Sequence, residues 1–275
     1  MRGGRDARVR KRFGQHFLEP SWVSKVVAAI APNPCDIFIE IGPGRGAITR
    51  PLAAAARHVL AFEIDRDLAR DLRGTAIPNL TVVEADFLRV TAERLRAELL
   101  PIGAGPGPVR VAGNLPYNVA SPILFKLVEL YASDLPVLDG SVMVQREVAD
   151  RLAARPGSGQ YGVLSVSVQQ WADVRRLLAL PPGAFRPAPQ VHSAVVRLMF
   201  HRPLPAPRDQ SIFEAVTAAI FTRRRKTLAN ALRAYGDASL TPNQALARTG
   251  LHAQRRPETL TIAELVQLAD AYSGA

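Results

Sequence analysis

The chain has 275 residues, 48% of them hydrophobic, and a formal net charge of +11. This length suits one large domain, or one large and one small, with enough apolar residues for a core. A single cysteine, Cys35, excludes an internal disulfide and a cysteine metal cluster, and the five histidines lack ligand spacing, so no metal is expected. The apolar runs are too short to span a bilayer and no secretory signal is evident. We therefore expect a soluble cytoplasmic protein without a membrane partner.

The positive charge is concentrated in two clusters. The first occupies the N-terminus: Arg2, Arg5, Arg8, Arg10, Lys11 and Arg12. The second lies inside a helical pattern: Arg223, Arg224, Arg225 and Lys226. Two separated cationic clusters favour a polyanionic partner such as a nucleic acid. The alternative is a generally arginine-rich composition with no such partner.

Strands and helices alternate along most of the chain. The patterns predict helices over residues 21–31, 47–58, 66–74, 91–100 and 121–132. They predict strands within residues 36–46, 58–65, 79–87 and 109–117, and later strands at 141–146, 162–174 and 193–200. This order indicates an α/β fold with a doubly wound, mostly parallel sheet whose far edge is partly antiparallel.

A proline-rich segment, residues 201–209, is the best candidate for a domain boundary. Beyond it the sequence shows only helical periodicity, which predicts a small all-α C-terminal domain. We therefore divide the chain into a basic N-terminal segment (1–20), an α/β domain (21–203) and a helical C-terminal domain (204–275).

A glycine-rich loop, EIGPGRGAIT, joins the first predicted strand to the next helix. Gly42, Gly44 and Gly46 permit a tight turn and close backbone approach beside a helix N-terminus. Glu63 ends the second strand, where a carboxylate can accept hydrogen bonds from a ribose diol. Asp86 ends the third strand, where a carboxylate can accept a bond from an adenine amino group. Because the carboxyl ends of parallel strands meet at one edge, these residues predict a nucleoside-binding crevice.

The segment GNLPYN follows the fourth strand and indicates chemistry on an amino group. The lone pair of a purine amine is delocalised, so two acceptors aimed at its hydrogens would make the nitrogen more nucleophilic. The Asn114 side-chain oxygen can be one acceptor, and the Leu115 carbonyl, held by the fixed φ of Pro116, can be the other. Tyr117 offers a face on which a base can stack. The alternatives are a loop that only packs, or an NAD-dependent dehydrogenase, for which we find no hydride-transfer residues.

Several segments together resemble the rRNA adenine N6-dimethyltransferases that use S-adenosylmethionine, the dimethyladenosine transferases of the small subunit. These segments are RKRFGQHFL (10–18), EIGPGRGAIT (40–49), FEIDRDL (62–68), EADFL (84–88), GNLPYN (113–118), QREVADRL (145–152), FRPAPQVHSAVVRL (185–198) and FTRRRKTLANAL (221–232). The resemblance extends over nearly the whole chain. It implies a Rossmann-like methyltransferase domain followed by a helical C-terminal domain.

The resemblance also implies roles for individual residues. His16 and Leu18 would lie over the methyl donor, Gly42 and Gly44 would lie beneath it, and Glu63 and Asp86 would hold its ribose and adenine. Asn114 would contact both the donor and the target amine. The family usually has asparagine at position 16, where this chain has histidine. Phe185 would supply a second aromatic wall for a flipped base.

The reaction implied by the resemblance is dimethylation of two neighbouring adenosines in a hairpin near the 3′ end of small-subunit rRNA. Arg10, Lys11, Arg12 and the Arg223–Lys226 cluster would grip rRNA phosphates, and we expect a monomer. Two alternatives remain open at this point. One is the related large-subunit methyltransferase of macrolide resistance, which Leu115 and the 221–232 segment disfavour. The other is a non-catalytic ribosome-assembly factor, which the intact site residues disfavour.

Overall fold

The structure is a computed structural model that describes residues 16–104, 108–236 and 240–274. The predicted phosphate-binding residues Arg10, Lys11 and Arg12 lie outside the described residues. Within them, the strands are β1 (Phe17–Leu18), β2 (Ile37–Ile41), β3 (His58–Glu63), β4 (Leu80–Glu84), β5 (Val109–Asn114), β6 (Val137–Gln145), β7 (Ala172–Leu180), β8 (Phe185–Arg186) and β9 (Ser193–Phe200). The helices are α1 (Pro20–Ile30), α2 (Thr49–Ala55), α3 (Arg66–Arg73), α4 (Ala92–Leu99), α5 (Ala120–Ala132), α6 (Arg146–Leu152), α7 (Val163–Gln169), α8 (Gln210–Thr222), α9 (Leu228–Leu232), α10 (Pro242–Thr249) and α11 (Ile262–Ser273).

Seven strands form one sheet in the order β4-β3-β2-β5-β6-β9-β7. The strand pairs β2–β3, β3–β4, β2–β5 and β5–β6 are parallel. The order reverses direction at β2, which is the kind of point where open α/β sheets bind ligands. This architecture confirms the predicted α/β class and its mostly parallel sheet.

The residues of β2 are buried along the whole strand, as a central parallel strand with helices on both faces requires. Residues of the sheet and of the helices beside it form a hydrophobic cluster that includes Phe38, Leu52, Val59 and Phe185. A separate two-stranded sheet pairs β1 with β8 in antiparallel register, with Phe17 opposite Arg186 and Leu18 opposite Phe185. This pairing fixes the N-terminal residues that reach the site.

Contacts divide the chain into two compact units. One comprises residues 1–149 with 175–198, and the other comprises residues 150–174 with 199–275. The second unit has its own core, in which Tyr161, Phe213, Leu228 and Leu265 are buried. This division differs from the one expected from the sequence, because residues 150–174 group with the C-terminal helices. The boundaries 1–20, 21–203 and 204–275 stay a prediction.

The predicted strand over residues 162–174 is wrong for its first half, which is helix α7. Its alternating VLSVSVQ pattern favours a strand locally, but packing within the second unit decides the outcome. The Ser165 hydroxyl donates to the Arg151 carbonyl at 2.6 Å, and the Gln169 amide donates to the carbonyls of Leu152 and Ala154 at 2.7 and 2.8 Å. A helix brings residues 165 and 169 within about one turn of each other, so both side chains reach carbonyls of residues 151–154, whereas a strand would hold them about 13 Å apart.

The basic cluster 223–226 is not helical either, because α8 ends at Thr222 and the cluster forms a turn before α9. Consecutive cations repel one another, and a turn lets their side chains diverge. No helix in the described part of the chain is long and apolar enough to cross a bilayer.

Candidate functional site

A cavity of about 220 Å³ opens at the carboxyl ends of β2, β3, β4 and β5. Most of the residues predicted for the site line it: His16, Leu18, Gly42, Gly44, Glu63, Asp86, Asn114, Leu115, Pro116 and Tyr117. They come from separate parts of the first unit and meet because parallel strands end at one edge. The structure therefore brings together the groups that the sequence assigned to a nucleoside and to a purine amine.

The glycine loop turns sharply between β2 and α2. Gly42, Gly44 and Gly46 have φ values of 67°, 56° and 79°, a region that L side chains rarely adopt. A Cβ on Gly44 would lie 3.4 Å from the Phe17 ring, so β1 closes directly over this loop. Phe17 also lies under the Arg45 guanidinium, 4.6 Å from it. The loop and the N-terminal strand thus form one wall of the cavity.

Glu63 ends β3 with its carboxylate held by two backbone groups. The Gly44 N–H donates to Oε2 at 2.9 Å, and the Asp65 N–H donates to Oε1 at 3.0 Å. Glu63 is only 3% exposed. Burial raises the pKa of this carboxyl, and the two N–H bonds oppose that rise without cancelling it. Each oxygen keeps a second lone pair, so the fixed carboxylate can accept two hydroxyl hydrogens of a diol.

Asp86 follows β4 and is less buried than Glu63. Its Oδ1 accepts a hydrogen bond from the Leu88 N–H at 3.0 Å, which caps a single 3₁₀ turn at residues 87–89. Its side chain remains 34% exposed. A carboxylate fixed in this way at the cavity wall can accept a bond from an exocyclic amine.

The Asn114 side chain has a defined orientation. Its Nδ2 donates to the His16 carbonyl at 2.9 Å. Because a carbonyl oxygen only accepts, the amide nitrogen must face His16 and Oδ1 must face the other way. Asn114 therefore presents its amide oxygen, a hydrogen-bond acceptor, at the end of β5. The Leu115 N–H donates to the Met143 carbonyl at 3.1 Å, which ties the same loop to β6.

Tyr117 is half-buried, and two side chains touch it. Its hydroxyl lies 2.7 Å from Ser193 Oγ, and its ring stacks on the His16 ring with centroids 5.3 Å apart and planes 26° apart. Burial raises the pKa of Tyr117, and the bond to Ser193 lowers it by less. The phenol is thus neutral near pH 7, so it offers an aromatic face rather than a charge.

Comparison with known proteins assigns this chain to a family. The family described as Ribosomal RNA adenine dimethylase matches residues 6–273. The chain belongs to the ribosomal RNA adenine dimethylase family. It is 42% identical to the Ribosomal RNA small subunit methyltransferase A of Aromatoleum aromaticum, covering 96% of this chain and 94% of the relative. It is 45% identical to the protein of the same name from Bordetella petrii, covering 95% and 94%.

Solved structures agree on the fold. A dimethyladenosine transferase from Plasmodium falciparum superposes with a TM-score of 0.74 at 22% identity, covering 92% of this chain and 96% of that one. The 23S rRNA methyltransferase ErmE superposes with a TM-score of 0.64 at 24% identity, covering 94% and 99%. These likenesses establish the Rossmann-like methyltransferase fold. This rRNA adenine dimethylase is an enzyme of the methyltransferase class, and its substrate is rRNA.

One predicted site residue of the dimethylase lies elsewhere. Phe185 is 0% exposed and packs in the hydrophobic cluster of the first unit, paired with Leu18 through β8 and β1. It is not among the described residues that line the cavity. In this structure Phe185 is therefore a core residue rather than an aromatic wall, because a large apolar ring gains more from full burial than from a half-open position. The ring that stands against Tyr117 is His16.

The basic cluster of the dimethylase has one member with a structural role. The Arg224 guanidinium donates to the Gly159 carbonyl at 2.7 Å and lies 3.4 Å from Glu258. Arg223, Arg225 and Lys226 are exposed. Their side chains can bind phosphate without first breaking a side-chain hydrogen bond or ion pair that the structure records.

Two residues that contact the site, and one buried acid on β2, were not identified from the sequence. Ser193 contacts Tyr117, and Phe17 covers the glycine loop. Glu40 is 0% exposed on β2, and neither of its carboxyl oxygens has a hydrogen-bond partner in the described structure. Burial raises its pKa to about 8. Of these three residues, only Glu40 could have been recognised from the sequence, because it is an acidic residue inside an otherwise apolar strand. No group of three potential metal ligands occurs within the described ranges.

Proposed function

We propose that this chain uses S-adenosylmethionine to dimethylate N6 of two adjacent adenosines in the 3′-terminal hairpin of small-subunit rRNA. The observation that carries the proposal is the orientation of Asn114, whose acceptor oxygen turns away from His16 in a cavity that also holds Glu63 and Asp86. The relatives named for the small subunit support this choice of substrate. No step in the proposal requires a metal.

The residues present fit the methyl donor. Glu63 presents a carboxylate that the glycine loop holds in place and that can accept hydrogen bonds from a ribose diol, and Asp86 can accept from an adenine amine. Leu18 and His16 line the cavity on its N-terminal side, and Gly42, which has no side chain, allows a ligand to approach the backbone closely. When bound, this group supplies an electrophilic methyl on a sulfonium centre.

The acceptor side works by position and hydrogen bonding. Asn114 Oδ1 and the Leu115 carbonyl accept the two hydrogens of the adenine amine and favour a pyramidal nitrogen with a free lone pair. Tyr117 supports the base by stacking. No strong base would be required, because the donor would leave as a neutral thioether and the nitrogen, made acidic by its new bond, could then release its proton to solvent water. The chain thus contributes orientation and charge complementarity.

The proposal includes an RNA surface. Arg223, Arg225 and Lys226, with Arg10, Lys11 and Arg12 of the N-terminal segment, would bind phosphates, and Arg224 would hold the turn in shape. We infer a monomer that acts in the cytoplasm, where ribosomal subunits are assembled. Association with the RNA should depend steeply on salt.

Donor binding can be tested apart from catalysis. Glu63→Gln removes the charge that accepts two hydroxyl hydrogens, and we expect donor affinity to fall about 10- to 100-fold. Glu84→Gln is the matched control, since Glu84 pairs with Glu63 in register on β4 but is exposed. Calorimetric titration with S-adenosylmethionine gives both constants. Equal affinities in the two variants would remove Glu63 from the donor site.

The substrate is tested by mapping transferred label. Small subunits lacking dimethyladenosine are incubated with labelled donor and the chain, with large subunits in parallel, and the label is located by nucleotide. We expect four methyls on two adjacent adenosines of the small-subunit 3′ hairpin. Label confined to the large subunit would instead assign the resistance-type reaction. Binding without any label would leave an assembly factor and overturn the proposal.

A further inference from the structure

The ring of Tyr117 is fixed at two points. Its hydroxyl lies 2.7 Å from Ser193 Oγ, and Ser193, the first residue of β9, is only 2% exposed. Its face stacks on His16. A partly buried hydroxyl pair at this distance is a directional hydrogen bond between β9 and the loop after β5. The position of the ring therefore depends on a strand that carries none of the residues assigned to the reaction.

The contact with His16 leaves one face of Tyr117 for a base. A base sandwiched between two rings would require them to be about 7 Å apart, twice the usual carbon–carbon contact distance. The centroids of His16 and Tyr117 are 5.3 Å apart, so no base fits between them. The imidazole is itself fixed, because its Nδ1 lies 2.7 Å from the Pro187 carbonyl, which can only accept a hydrogen.

We propose that Ser193, supported by His16, is a positioning residue that holds the Tyr117 ring as the platform for the target base. The inference rests on the proposed function, since it assigns Tyr117 to the acceptor. Ser193 does not reach the reacting atoms, and it acts through Tyr117. Loss of its hydroxyl frees the ring to rotate and widens the range of base orientations, which lowers the fraction close to the geometry of attack.

The size of the effect follows from the kind of bond. A bond between two neutral hydroxyls is worth about three- to tenfold in an equilibrium or a rate. Ser193→Ala should therefore lower kcat/KM for rRNA by about that factor and leave the affinity for the methyl donor unchanged. If the hydroxyl of Tyr117 acts only through Ser193, Tyr117→Phe should show the same loss. The double variant should then lose no more than either single variant.

Ser141→Ala is the matched control. Ser141 is also 2% exposed, lies on the neighbouring strand β6, and accepts a hydrogen bond from Arg197 Nε at 3.0 Å. It is not among the described residues that line the cavity. Like Ser193→Ala, Ser141→Ala removes one side-chain hydrogen bond from a buried serine of the sheet. We expect it to leave kcat/KM within twofold of the wild type.

A second measurement follows the environment and motion of the Tyr117 ring in the absence of substrate. The chain has five tyrosines, so 3-fluorotyrosine labelling gives a ¹⁹F spectrum in which Tyr117→Phe identifies one signal by its absence. Ser193→Ala should shift and narrow that signal, because the ring flips faster, and Ser141→Ala should leave it in place. This readout is independent of methyl transfer, so it distinguishes failure of the positioning inference from failure of the proposed function.

Three results would overturn the inference. The first is a Tyr117 signal that is the same in Ser193→Ala and wild type. The second is a Ser193→Ala enzyme whose kcat/KM equals that of the wild type while Tyr117→Phe is impaired, which would give the phenol a direct role. The third is a parallel loss of donor affinity in Ser193→Ala, which would mean that Ser193 only supports the fold.

Discussion

At the scale of single residues, most of the site could be predicted because its chemistry is local. A glycine loop, an acid at a strand end and an amide at a strand end are expected to meet at one edge of a parallel sheet, and Gly42, Glu63 and Asn114 do line one cavity there, while their roles stay a prediction. His16 and Tyr117 could not be paired in this way. Their contact depends on how β1 docks on β8, and no spacing in the sequence encodes it.

Glu40 predicts a dependence of stability on pH. Burial raises its pKa from 4.5 to about 8, with a smaller opposing effect from the nearby Thr49 hydroxyl and a further rise from Glu63. Between these values the folded chain holds a proton that the unfolded chain has released. Stability therefore falls as pH rises from about 5 to 8, with a slope of up to about 1.4 kcal/mol per pH unit.

Glu40→Gln should remove that slope. We expect the melting temperature of the variant to approach or exceed that of wild type as pH rises from 5 to 8, measured by calorimetry across this range. Glu84→Gln serves as a control, because Glu84 is exposed at the end of β4. Parallel melting curves for wild type and Glu40→Gln at every pH would show that Glu40 is ionised in the folded chain.

At the scale of elements, α7 shows where sequence patterns stop being sufficient. Its alternating valines and serines match a strand, yet Ser165 and Gln169 bond to carbonyls at the end of α6 and just beyond it. Those partners come from the tertiary arrangement of the second unit. In contrast, β2 and β3 were predictable because each is a short segment rich in apolar residues that ends at a turn signal, the glycine loop after β2 and Asp65 after β3.

The end of α1 depends on one buried arginine. Arg110, at the start of β5, donates to both oxygens of Asp139 at 2.8 and 2.9 Å and to Asp36 at 2.6 Å. It also donates to the carbonyls of Ile30 and Ala31 at the C-terminus of the helix. Its side chain is 9% exposed and that of Asp139 is 4% exposed. This network attaches α1 to the amino end of the sheet.

Arg110→Met should therefore destabilise the first unit by about 3 kcal/mol, because it leaves Asp139 buried with only Arg197 nearby. We expect a fall in melting temperature of roughly 6–12 °C by calorimetry. The double variant Arg110→Met, Asp139→Leu should recover most of the loss, since it removes the uncompensated charge as well. A double variant less stable than the single one would contradict this account.

At the scale of the whole molecule, the net charge of +11 predicts that the partner is negatively charged. Together with the exposed cations in the turn after α8, this charge favours a polyanionic partner. Membership of the rRNA adenine dimethylase family identifies that polyanion as rRNA. Charge alone could not have distinguished it from another nucleic acid.

The salt dependence of RNA binding tests this footprint. Replacing Arg223, Arg225 and Lys226 by alanine should make the slope of log affinity against log salt shallower by about two to three. Arg224 is kept, because it holds the turn through Gly159. The control carries three alanines at exposed arginines of α3 and α4: Arg66, Arg70 and Arg94. An equal change of slope in both triple variants would mean that net charge, rather than this cluster, determines binding.

The proposed activation of the target amine by Asn114 can be measured as single-turnover methyl transfer to small subunits at saturating donor. Asn114→Ala should lower the rate by about 100- to 1,000-fold, because it removes an acceptor from the reacting nitrogen. Asn230→Ala, an exposed asparagine on α9, should react like wild type. A rate within tenfold of wild type for Asn114→Ala would contradict the account, since the amine would then need no acceptor at that position.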